Sequence, residues 1–131
     1  MLSRILLVDD HAVVRAGLAR LLKDFWDVCG EAENGREAID KVLELKPDLV
    51  LLDLGMPVMG GTEAARQIRQ LSPGTKIVFL SMHDFDTVAQ VARLAGADGC
   101  LSKHCGAAEL KKTVEDVLRQ PSEMVRLLDP T

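Results

Sequence analysis

Short unbroken apolar runs alternate along the chain with longer stretches in which apolar residues recur every three or four positions. The runs are Ile5-Leu6-Leu7-Val8, Leu49-Val50-Leu51-Leu52 and Ile77-Val78-Phe79-Leu80. Being continuous rather than alternating, they predict parallel strands covered on both faces. Two weaker candidates, about Val28 to Ala32 and Gly99 to Ser102, complete a set of five. Between them Val14, Leu18, Leu21, Leu22 and Phe25 share one face of a helix predicted over about residues 12 to 24. Ala38, Ile39, Val42 and Leu43 do the same for a second helix, and Ala64, Ala65, Ile68 and Leu71 for a third. Val88, Val91, Ala92 and Ala95 mark a fourth, and Leu110, Val114, Val117 and Leu118 a fifth. Stripes of this kind read as core faces. Breakers fall between them at Asn34-Gly35, Lys46-Pro47-Asp48, Gly60-Gly61, Ser72-Pro73-Gly74 and Gly96. Five strands alternating with five helices predict an α/β fold, a doubly wound (βα)5 five-stranded parallel sheet joined by right-handed crossovers.

The 131 residues suffice for one domain with a real core, and 47% hydrophobic with 27% charged residues is an ordinary globular balance. Residues 1–120 are expected to form that domain. In the remainder, residues 121–131, Pro121 should end the fifth helix and Ser122 could cap a further turn carrying Met124, Val125, Leu127 and Leu128. That tail reads as the start of a linker to an output domain outside this sequence. Twenty acidic against sixteen basic residues give a net charge of −4, and aromatics are 3%. Without clustered Lys and Arg, direct nucleic-acid binding by these residues is not expected. The three cysteines, Cys29, Cys100 and Cys105, have no CxxC or zinc-type spacing and read as reduced, packed thiols. No apolar stretch is long enough for a signal peptide or a membrane span, so a cytoplasmic location is expected.

In an open α/β sheet, chemistry gathers beyond the carboxyl ends of the strands. There the chain places Asp9-Asp10, Asp53, Ser81 and Lys103. Singly, each has an ordinary reading: a helix cap, a loop carboxylate, a turn hydroxyl, a solvated charge. Together, three carboxylates repel one another unless a cation joins them, and an all-oxygen set suits Mg²⁺. A carboxylate beside Mg²⁺ can attack phosphorus, with the hydroxyl and ammonium stabilising the phosphoryl oxygens. This constellation predicts an acyl phosphate on an aspartate.

Asp9-Asp10-His11 followed by Arg15-Ala16-Gly17-Leu18 resembles the start of receiver domains in the NarL/FixJ (LuxR-type) group of response regulators. So do Gly30-Glu31-Ala32-Glu33-Asn34-Gly35, the stretch from Pro47 through Asp53 to Pro57, Gly60-Gly61, Leu80-Ser81-Met82 and Ala97 to Lys103, in order over about residues 3 to 119. The resemblance implies a flavodoxin-like sheet of order 2-1-3-4-5. It implies that Asp53 takes a phosphoryl group from a phosphohistidine on a sensor histidine kinase. By the same likeness Asp10, Asp53 and the backbone carbonyl of Gly55 would ligate Mg²⁺ (or Mn²⁺), with Asp9 acting through water. Ser81 and Lys103 would hold the phosphoryl group, and Pro57 and Gly61 would shape the loop after Asp53. The switched surface would involve the fourth helix, the fifth strand and the fifth helix, around Val88, Val91 and residues 107–118. Homodimers through the first and fifth helices remain open, and DNA would be reached only through a separate output domain that regulates transcription.

Three departures from the usual pattern stand out. Cys100 stands where many receivers carry a Tyr or Phe switch. His104 follows Lys103 where many have a proline after a cis bond, leaving the isomer open. Gly55 and Met82 flank the nucleophile and hydroxyl, Gly55 offering no side chain to hinder or orient attacking water and His83 lying nearby, so the sequence does not predict the dephosphorylation rate. His11 is placed at a helix start, while His83 or His104 could tune hydrolysis of the acyl phosphate. Two other functions compete. A phosphatase of the haloacid-dehalogenase type would need a second Asp two positions after the nucleophile, where Gly55 stands. A degenerate receiver, binding partners without phosphorylation, would lack one of Asp10, Asp53 or Lys103, and all three are present.

Overall fold

In the computed structural model of the chain, residues 2–56, 58–82 and 96–120 are described. The strands are β1 (Arg4–Val8), β2 (Asp27–Ala32), β3 (Leu49–Asp53), β4 (Lys76–Ser81) and β5 (Gly99–Ser102). They form one parallel sheet in the order β2-β1-β3-β4-β5. The described helices are α1 (Ala12–Leu22), α2 (Gly35–Leu45), α3 (Gly61–Leu71) and α4 (Ala107–Arg119). The helix predicted around Val88 to Ala95 and the tail at 121–131 lie outside the described residues, as does Pro57.

The unbroken runs become strands buried on both faces because each face meets helices. Leu6, Val8, Val50, Leu52, Ile77 and Phe79 point to the side of α2 and α3, packing on Ala38, Val42, Ala64 and Ile68. Ile5, Leu7, Leu49, Leu51, Val78 and Leu80 point the other way, against Leu110, Val114 and Val117 of α4 and against Leu22 and Trp26. Each large side chain removed from water in this way contributes roughly 1.5–3 kcal/mol. β2 is weaker because it is the sheet edge, and only Ala32 of its six residues is buried.

Local chemistry fixes the helix ends. The Asn34 side chain accepts the Glu37 N–H at 2.9 Å, capping α2, which stops at Lys46 in a left-handed conformation just before Pro47. α1 departs from expectation. Of its predicted core stripe only Leu22 is buried, while Leu21 is 45% and Phe25 43% exposed. Helical period identifies an apolar face but not what covers it. The helix ends at Leu22, so Phe25 falls outside it, and the neighbouring Trp26 enters the core instead. Phe25 lies under the Lys111 ammonium, 4.2 Å from its ring centre. The cysteines are partly buried free thiols, each with its pKa raised by burial.

Candidate functional site

Register places the chemistry. Val8 pairs with Leu52, Asp53 with Leu80, and Ser81 with Ser102, so Asp9, Asp53, Ser81 and Lys103 line one rim. Backbone bonds carry the ladder one residue past the strands. Asp9 N–H donates to the Ala32 carbonyl at 3.1 Å, Leu54 N–H to Leu80 at 3.1 Å, and Lys103 N–H to Ser81 at 2.8 Å. The residues that carry charge therefore sit on sheet-held backbone rather than on free loops.

Lys103 Nζ lies 2.9 Å from Asp9 Oδ2 and 3.0 Å from Asp53 Oδ2, bridging two carboxylates that are almost wholly out of water. Burial raises the Asp53 pKa, and the neighbouring Asp9 charge adds to this. Lys103 and the Gly55 N–H (3.2 Å from Asp53 Oδ1) oppose it without cancelling it. For Lys103 burial pulls the pKa down, but its contacts to Asp9 and Asp53 outweigh that and raise it. Asp10, with its side chain 25% exposed, opens the site to solvent.

Three oxygens, Asp9 Oδ2, Asp10 Oδ1 and Asp53 Oδ2, are inaccessible and accept no well-aligned hydrogen bond, although Lys103 stands near two of them and His11 near the third. Charge proximity alone offsets their desolvation, which is costly for carboxylates. Oxygens of this kind, converging from two strand ends, fit a hard divalent cation such as Mg²⁺. His11 joins them. Asp9, Asp10, His11 and Asp53 each offer a ligand atom, all within 4.8 Å of one another. The sequence reading missed His11 as a site residue, although its place directly after the paired aspartates was the signal.

Two groups outside the cluster hold it in shape. The Arg15 guanidinium donates to the Asp9 carbonyl at 2.6 Å and to Glu31 at 2.8 Å, tying the β1 end to β2. Gly61 lets α3 begin against the nucleophile's backbone, since a Cβ there would lie 2.5 Å from the Asp53 carbonyl oxygen. Ser81 is buried at the end of β4. Cys100 lies partly buried against the core on the α2 and α3 side. Exposed His104 donates its N–H to Ser102 Oγ at 3.0 Å, and the Lys103–His104 bond is trans. His83 lies outside the described residues.

Residues 5–115 match the family model described as the response regulator receiver domain. The chain belongs to this family. It is 40% identical over 113 residues to the response regulator GacA of Pseudomonas viridiflava, covering 85% of this chain and 53% of that protein. It is 38% identical over 115 residues to the response regulator UvrY of Escherichia coli K12, covering 86% and 53%. A LuxR-family two-component response regulator from Aurantimonas sp. SI85-9A1 superposes with a TM-score of 0.87 at 38% identity, covering 93% of this chain and 89% of that one. The chain thus spans about half the length of the curated relatives it matches. As a receiver it places Gly55, with no carboxylate, where the phosphatase reading required an aspartate. Among the described residues no helix is long and apolar enough to cross a membrane.

Proposed function

We propose that this receiver accepts a phosphoryl group on Asp53 from the phosphohistidine of a sensor histidine kinase and thereby switches a partner surface. The observation that carries the reading is the Lys103 ammonium shared between buried Asp9 and Asp53, with unsatisfied carboxylate oxygens around it. An Asp53 carboxylate oxygen attacks phosphorus in line with the departing imidazole nitrogen. The P–O bond forms as the P–N bond breaks, the imidazole takes up a proton, and an acyl phosphate remains. Asp10, Asp53 and the Gly55 carbonyl would hold Mg²⁺ (or Mn²⁺), with Asp9 acting through water. The ion, when bound, neutralises charge on the phosphoryl oxygens. Lys103, already 3.0 Å from Asp53, turns its charge to the new phosphoryl group, and the Ser81 hydroxyl donates to it.

The chain acts as a signalling phosphoacceptor, catalysing only its own phosphorylation and dephosphorylation. Residues 1–120 form the receiver, and residues 121–131 begin a linker to an output domain through which transcription is regulated, as the length of the relatives suggests. Switching proceeds without an aromatic ring at Cys100, with Ser81 and Lys103 as the groups that change partner. Intact mass after incubation with Mg²⁺ and acetyl phosphate tests the proposal. One added phosphoryl group is expected, dependent on Mg²⁺ and absent from Asp53→Asn. An unmodified, folded wild-type protein would mean a binding module that works without phosphorylation.

A further inference from the structure

We propose that His11 is a ligand of the cation site and biases it toward first-row divalent ions that accept nitrogen, such as Co²⁺, Fe²⁺ or Ni²⁺, relative to Mg²⁺. This rests on reading Asp9, Asp10 and Asp53 as a cation site. His11 Nδ1 lies 3.2 Å from Asp9 Oδ1 and 3.2 Å from Asp10 Oδ1. Neighbouring ligands on an octahedral ion stand about 1.4 bond lengths apart, roughly 2.9 Å for Mg²⁺–oxygen bonds. The imidazole nitrogen and Asp10 Oδ1 are therefore spaced nearly as adjacent ligands on one ion, while Asp9 Oδ1, within hydrogen-bond distance of both the His11 N–H and Nδ1, positions the ring.

The backbone explains why the ring is there. Asp9 Oδ1 accepts the His11 N–H at 2.8 Å, which folds residue 11 back over the paired aspartates. His11 is the N-cap of α1, yet its side chain makes no capping hydrogen bond, so the ring is not engaged in starting the helix. The side chain is 61% exposed, so packing does not dictate its position either. It faces Asp9 Oδ1, at hydrogen-bond distance, and equally Asp10 Oδ1, one of the inaccessible oxygens lacking a well-aligned donor. Imidazole favours borderline transition ions, whereas Mg²⁺ prefers oxygen and retains water. One nitrogen added to a carboxylate set thus separates the two classes of ion.

The test compares Co²⁺ and Mg²⁺ binding to the whole chain by calorimetry, each competed against the other, in wild type and in His11→Asn. Asparagine is a good N-cap, so the variant keeps the helix start. Proton NMR of the Co²⁺ form reads the ligand directly, through an exchangeable imidazole N–H resonance shifted far outside the ordinary range. Expected are loss of that resonance in His11→Asn and a fall in Co²⁺ affinity of at least about tenfold, by analogy with disrupted metal-site shells. Mg²⁺ affinity should change less than twofold. Equal changes for both ions, or an unaltered Co²⁺ affinity, overturn the assignment and leave His11 a neighbour of the site. If wild type binds neither ion, or if Asp53→Asn leaves the affinity for both ions unchanged, the cation-site reading falls as well.

Discussion

Asp53 is a carboxylate withdrawn from water with one ammonium at hand, and that has a cost in stability. Burial lifts its pKa in the folded chain above the ordinary carboxylate value. Between those two values the folded state binds more protons than the unfolded one, so stability falls as pH rises through that window. Above that window the fold carries the full penalty. Without metal, Asp53→Asn should therefore melt higher than wild type at pH 7, by about 1 kcal/mol or on the order of 3–5 °C for a domain of this size. Calorimetry in EDTA checks it, and the gap should narrow on acidification as the wild-type carboxyl takes its proton. Equal midpoints at pH 7 would mean that Lys103 fully compensates the buried charge. Lys103 runs the other way in consequence: its pKa is raised, so its contribution is complete below the unfolded value and is lost only as pH climbs through the folded one. The ammonium therefore stays charged wherever the protein works.

The same locality governs the elements around the nucleophile. α3 starts so close to the end of β3 that a Cβ on Gly61 would meet the Asp53 carbonyl oxygen at 2.5 Å and Leu54 Cα at 2.8 Å, both backbone atoms that cannot swing aside. A Cβ on Gly55 meets nothing within 4 Å. Gly61→Ala should then cost roughly 1–3 kcal/mol by urea denaturation and slow modification of Asp53, because relief requires moving that residue's own backbone. Gly55→Ala should leave the denaturation midpoint nearly unchanged, and equal losses from the two would refute the contact argument. Elements of this kind were legible in the sequence to different depths. The run Leu49 to Leu52 ending in Asp53 marked both a buried strand and its reactive end, because one physical cause, burial on two faces, writes the whole pattern. The stripe Val14 to Phe25 was legible as apolar, but not that Leu21 and Phe25 within it stay exposed, since coverage depends on what α4 and Lys111 do far along the chain. Lys103 could be placed at a strand end, yet its bridging of Asp9 and Asp53 depends on register between strands distant in sequence. His11 needed the backbone turn at Asp9 to bring its ring over the carboxylates.

Across the whole molecule the sheet separates its two ends by task. Among the described residues, the carboxyl ends of β1 and β3 gather carboxylates that repel one another and stay poorly satisfied, whereas Arg69 and Asp98, by the amino ends of β4 and β5, are well satisfied. Arg69, on α3, donates to the Gly96 carbonyl at 2.7 Å, to Pro73 and Thr75 at 3.2 and 3.3 Å, and to Asp98 at 2.7 Å. Asp98, its side chain 2% exposed, also accepts the Ile77 N–H at 2.9 Å, so this guanidinium fastens the chain entering β5 to α3 and β4. Removing the guanidinium takes a cation and several donors from a buried carboxylate and from three carbonyls. Arg69→Ala should lower stability by about 3 kcal/mol, a large loss for a single domain yet one it survives. Because Asp98 lies beside the start of β4 and Asp53 beside its end, the phosphorylation rate of the folded fraction should stay within twofold of wild type. Denaturant titration and the timed mass assay on one preparation measure both quantities. A variant that kept its stability would demote the Arg69 cluster to a surface contact. One that folded well but lost phosphorylation would mean that the two ends are coupled through β4, and the division of labour along the strands would have to be given up.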